Sequence, residues 1–101
     1  MKIVVNNKEF DSGKMVRKKF KAYSEVRDDL TDKEIFSDED LDKMVKALVT
    51  LFDNQFTEDD INEDFEVSDI IFNFIRADLE ISEKVNSKVE KVNKLFIQDK
   101  K

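Results

Sequence analysis

Carboxylates are the residues of this chain with most scope for chemistry, and their spacing first suggests a metal loop. Asp38, Asp40 and Asp42 take the first, third and fifth places of an EF-hand-type calcium loop. Such a loop turns on Gly at its sixth place and closes on Glu at its twelfth. Those places hold Lys43 and Val49. A frame starting at Asp53 brings Gln55 and Thr57, then Glu58 where Gly is required. Neither run is built to hold calcium. Paired carboxylates also serve as acid and base when their surroundings push one towards neutrality. Here they fall in helix first turns and linkers, where water keeps both ionised. The chain has no His and no Cys, which removes the usual imidazole base, thiolate nucleophiles, disulfides and zinc sites of the usual ligand types. Gly13 is its only glycine, so no Gly-rich loop exists to cradle phosphate. Ser and Thr stand mainly at helix caps, with no His to activate them. No catalytic residue, metal or cofactor is expected; the chain should act by binding, not as an enzyme.

The elements that carry these residues read as mainly α, a small helical domain with a short N-terminal β-hairpin. Residues 1–101 form one domain. With no Pro and one Gly, helix breakers are nearly absent. Ile3-Val4-Val5, Asn6-Asn7 and Lys8-Glu9-Phe10 predict a hairpin over 1–10, because Asn tolerates the left-handed backbone of a tight turn. Val16, Phe20, Tyr23, Val26 and Leu30 predict a helix over about 14–29, with Arg17, Lys18, Lys19, Lys21 and Arg27 outward. Thr31 and Glu34 have the spacing to cap a short turn. Ser37 is the expected N-cap of a helix over about 38–53, with Asp38, Glu39 and Asp40 facing its positive end. Leu41, Met44, Val45, Leu48, Val49 and Phe52 mark its buried face.

Asn54 suits the left-handed stop of that helix. Thr57, with Asp60 three residues on, is the expected cap of a helix over 58–63, and Phe56 and Ile61 have hydrophobic-staple spacing. Ser68 is the expected cap of a helix over 68–80 that buries Ile70, Ile71, Phe74 and Ile75 and leaves Phe72 on another side. Ile81, Val85, Val89, Val92 and Phe96 then stripe a helix over about 82–97, which either runs on from the previous one or breaks near Glu80-Ile81. That narrow, valine-rich stripe, flanked by Asn86 and Asn93, has the character of a helix–helix seam.

Charge is unevenly placed. The net charge is -6, yet residues 1–27 carry +5, residues 28–69 carry -13 and residues 70–101 carry +2. Basic ends and an acidic middle suit head-to-tail self-association, or a basic partner. The acidic total and the inward-facing aromatics of the basic first helix argue against nucleic acid. No apolar run has the roughly 20 residues that cross a bilayer, and Met1–Val5 is too short for a signal peptide. A location inside a cell is expected.

At Leu51-Phe52-Asp53-Asn54-Gln55-Phe56-Thr57 the chain resembles the tail assembly chaperones of long-tailed bacteriophages. The order of elements matches over most of the chain: short hairpin, basic first helix, acidic linker, amphipathic helix, junction and further helices. The family commonly has Gly where this chain has Asp53, and an Asp-Gly or similar turn near Asn62–Asp64. The resemblance implies a protein that binds the long, helical, aggregation-prone tape-measure protein in the host cytoplasm before the tail tube closes, then leaves, so that it is absent from the mature virion. It also implies a longer form, made by ribosomal frameshifting, whose added domain recruits tail-tube subunits; Lys100-Lys101 fits the A-rich codons of such a site. Within the junction, Phe52, Asn54, Phe56, Thr57 and Ile61 read as core, helix stop, cap and staple. The expected partner or self-association surface is Val85, Val89, Val92, Leu95 and Phe96, helped by Phe72. A homo-oligomer is expected to cover it in the free protein, unless this helix folds back onto its own core. The competing class is an acidic protein that mimics nucleic acid and inhibits a host nucleic-acid-binding protein, suggested by eight acids and no base over Asp53–Asp69.

Overall fold

The computed structural model describes residues 1–99, and side chains over residues 1–92. Strand β1 (Lys2–Val5) pairs antiparallel with β2 (Lys8–Asp11), Ile3 opposite Phe10 and Val5 opposite Lys8. Asn6 and Asn7 make the turn at φ 51 and 65, the left-handed pair that a type I′ hairpin needs. Strand alternation sends Ile3 and Val5 into the core and Val4 outward. Four helices follow: α1 (Arg17–Leu30), α2 (Asp38–Leu51), α3 (Glu58–Asp64) and α4 (Val67–Asp99). The fold is mainly α with an N-terminal hairpin, as the residue pattern predicts.

Helix α2 is the centre. Met44, Val45, Ala47, Leu48, Val49 and Leu51 are buried, α1 and α4 pack against it, and α3 closes its C-terminal end. Ser37 and Asp40 form a full capping box: Ser37 Oγ accepts from Asp40 N at 3.2 Å and Asp40 Oδ2 accepts from Ser37 N at 2.9 Å. Lys33 Nζ holds the buried Asp40 carboxylate at 2.9 Å.

Several sequence expectations need correction. Helix α1 begins at Arg17, with no side-chain cap at Val16. Its buried stripe runs through Lys19, Tyr23 and Leu30, while Val16 and Phe20 are exposed. Lys19 therefore lies inward, where its Nζ donates to Ser12 O at 2.6 Å and to Asp53 Oδ2 at 2.9 Å. Thr31 caps no helical turn; its hydroxyl donates back to Arg27 O at 2.9 Å. Ser68 is not a cap, because α4 starts one residue before it and Asp69 Oδ2 accepts the N–H of Glu66 at 3.2 Å. Ile75, expected inside, is exposed.

The helices expected over 68–80 and 82–97 are one. No Pro, Gly or left-handed residue interrupts α4, so the backbone ladder runs through Glu80-Ile81-Ser82. Ile70, Phe74, Ala77 and Ile81 are its buried residues. Beyond Ile81 every described side chain through Val92 is exposed: the helix leaves the body and projects, which gives the molecule extents of 57 × 32 × 21 Å.

Candidate partner-binding surface

The Leu51–Thr57 junction links α2 to α3. After Leu51 the chain reverses through Asp53 and Asn54, both at φ 57. Asn54 N donates to Val49 O at 3.0 Å and Gln55 N to Phe52 O at 3.1 Å. Asn54 takes the left-handed stop, and Asp53 takes the same backbone and gains Lys19 as a partner. Phe52, Phe56 and Ile61 are buried. Phe56 stacks against Phe52 at 5.4 Å and against Phe10 of the hairpin at 5.2 Å. Thr57 Oγ1 accepts from Asp60 N at 3.1 Å, and Asp60 Oδ2 accepts from Thr57 N at 2.9 Å, a complete capping box. That backbone hydrogen bond holds the Asp60 carboxyl below its ordinary 3.8; the equivalent bond from Ser37, with Lys33 second, does the same for Asp40. Phe52, Phe56 and Ile61 thus lie in the core, Asn54 at the stop of α2 and Thr57 at the cap of α3.

Two ties to α1 then anchor the first half of α4, beside those to the hairpin, where Arg76 donates to Lys2 O and the Met1 amino group lies 3.4 Å from Glu80. Tyr23 Oη donates to Phe74 O at 3.4 Å, with the two rings 4.9 Å apart. Arg27 Nη1 lies 3.5 Å from Asp78. Burial, with Asp78 beside it, pushes the Tyr23 phenol far above its ordinary value.

Fixed by these contacts, α4 exposes apolar side chains in two places. Val85, Val89 and Val92 are 55, 50 and 49% exposed on the projecting half. Helix geometry confines them to an arc of about 60°, with Lys84, Lys88 and Lys91 along one side and Asn86 and Glu90 on the other. Phe72 does not join them. It is 60% exposed but lies 13 residues before Val85, which turns it about 140° away around the axis. Its neighbours are Ile75 and Leu79, 52 and 58% exposed. The sequence reading missed this patch, although its i, i+3, i+7 spacing is legible. Leu95 and Phe96 fall outside the described side chains. Beside Ile75, a cavity of about 160 Å³ is lined by Leu30, Phe36, Met44 and Ile71.

Among the described residues no cluster of three or more acids is arranged to hold a metal ion, and no helix is long and apolar enough to cross a membrane. What the geometry presents is exposed helical apolar surface on α4. A family model described as phage tail chaperone protein matches residues 2–95, and the chain belongs to that family. No curated protein and no solved structure matches it.

Proposed function

We propose that this chain binds the tape-measure protein through the valine stripe of α4 and keeps it soluble in the host cytoplasm while the tail tube assembles. Membership of a phage tail chaperone family supplies the process. The observation that carries the mechanism is the projecting half of α4: Val85, Val89 and Val92 stand half exposed on a segment, residues 82–92, whose described side chains are all exposed. A long helical client offers apolar seams of its own, and an amphipathic helix laid along such a seam covers it without a deep pocket. The flanking Lys84, Lys88 and Lys91 keep the free helix soluble.

Inhibition by nucleic-acid mimicry finds less support. Asp60 caps α3, Asp64 accepts the Asn6 N–H and Asp69 accepts the Glu66 N–H, so three of the eight acids serve backbone groups instead of imitating phosphates. Co-expression tests the proposal. The tape-measure protein of the same phage should pellet when expressed alone and should stay soluble and co-elute with this chain when expressed together. A tape-measure protein equally insoluble with and without the chain would overturn it.

A further inference from the structure

The register of the hairpin determines which backbone groups stand on its open edge. A two-residue turn makes Val5 and Lys8 a hydrogen-bonded pair, and such pairs alternate along an antiparallel ladder. Ile3 therefore bonds Phe10, and Met1 bonds Ser12, whose N–H donates to Met1 O at 2.9 Å. The backbone groups of Lys2 and Val4 point the other way, off the outer edge of β1. Lys2 O accepts from Arg76 Nη2 there. The N–H of Lys2 and both backbone groups of Val4 have no partner among the described residues. Along this edge runs a cleft of about 490 Å³. Its far wall is the start of α4, where Asp69, Asn73 and Arg76 share one face at i, i+4 and i+7. From Asp69 to Arg76 the helix rises about 10 Å, the length of roughly three extended residues.

The two ends of the cleft differ in charge. At the end near the hairpin turn stand Asp69 and Asp64, whose Oδ2 accepts the Asn6 N–H at 3.0 Å. At the other end Arg76 makes no ion pair among the described residues, and its Nε is buried without an acceptor. A guanidinium placed this way lacks the carboxylate that matches its geometry. We infer that the cleft takes the C-terminal tail of another protein as a third, antiparallel strand. The tail residue opposite Val4 exchanges both backbone hydrogen bonds with it. Two residues on, opposite Lys2, the tail ends. Arg76 already holds Lys2 O, so strand addition stops there, and the terminal carboxylate accepts from the Lys2 N–H with one oxygen and from Arg76 with the other. A basic side chain upstream in the tail meets Asp64 and Asp69. The cleft lies between the hairpin and the start of α4, apart from the valine stripe, so the two surfaces are tested separately.

The probe is an acetylated hexapeptide, Gly-Ser-Lys-Val-Thr-Val with a free C-terminal carboxylate, titrated into the isotope-labelled chain and followed by amide NMR. The Lys2 and Val4 amide signals should move downfield together and saturate at millimolar peptide. The same peptide ending in an amide should bind about tenfold more weakly. Val4→Pro removes one donor, and because that N–H points off the edge the hairpin tolerates proline there, which circular dichroism checks. It should lose the peptide, whereas Val89→Glu should bind it as wild type does. Amidation needs no variant, so it decides the outcome if Val4→Pro does not fold. Equal binding of the amidated peptide, a folded Val4→Pro chain that binds like wild type, or stationary Lys2 and Val4 signals would overturn the inference. So would signals that move when the chain alone is concentrated, since its own terminus would then be the occupant.

Discussion

A carboxylate that accepts a backbone N–H at a helix start accepts it more strongly while ionised. Asp40 and Asp60 both do this, and both have folded pKa values below 3.8. A depressed folded pKa means stability that is fully present above the unfolded value and lost as pH falls through the folded one. Stability should therefore hold from neutrality down to about pH 5 and drop below about pH 4. Urea unfolding of the Asp40→Asn, Asp60→Asn double variant should show a shallower acid limb, and a wild-type slope would show that these caps are not responsible. Thr57→Ala should cost about 0.5–2 kcal/mol through the lost cap, read as a lower melting temperature. These caps were legible because a cap and its acid sit three residues apart. Lys19 was not: its partner Asp53 is 34 residues away, and nothing local distinguishes an inward lysine from an outward one. Asp53→Asn keeps a side chain that tolerates φ 57 but removes the counter-ion. Since Asp53 itself is well exposed, the expected loss is about 1 kcal/mol; an unchanged urea midpoint would show that Lys19 does not depend on it.

At the scale of elements, the α2 face and the hairpin could be read directly, because one period and one turn chemistry decide each. Leu48→Ala, at the completely buried centre of α2, should cost about 2–5 kcal/mol, measured by urea unfolding. The course of α4 was harder to read. Its stripe of valines looks the same whether the helix folds back or projects, and the answer depends on the core ending at Ile81. Ile75 was placed inside because its spacing fits the face of Ile71, yet the body is not wide enough to cover it. The side chains of residues 82–92 are exposed throughout, and isolated helical segments of that length are marginal. Amide hydrogen exchange should therefore be slow over 70–81 and fast over 82–92. Uniform protection along the whole helix would mean that something covers the projecting half even in the free protein, as self-association at high concentration would.

For the whole molecule, the resemblance at Leu51–Thr57 supplied the process, while the physical reading supplied the surface. Neither the charge pattern nor the periodicity could separate Phe72 from the valines, because that separation is a matter of rotation along one unbroken helix. The central claim is that the valine stripe holds the tape-measure protein, and two glutamate variants test it most directly. With the tape-measure protein of the same phage co-expressed alongside wild type, Val89→Glu or Ile75→Glu, the measurement is the fraction of it that stays soluble and co-elutes. Ile75→Glu should retain it and Val89→Glu should lose it while remaining folded; a Val89→Glu chain that keeps the tape-measure protein soluble as well as wild type does would contradict the account.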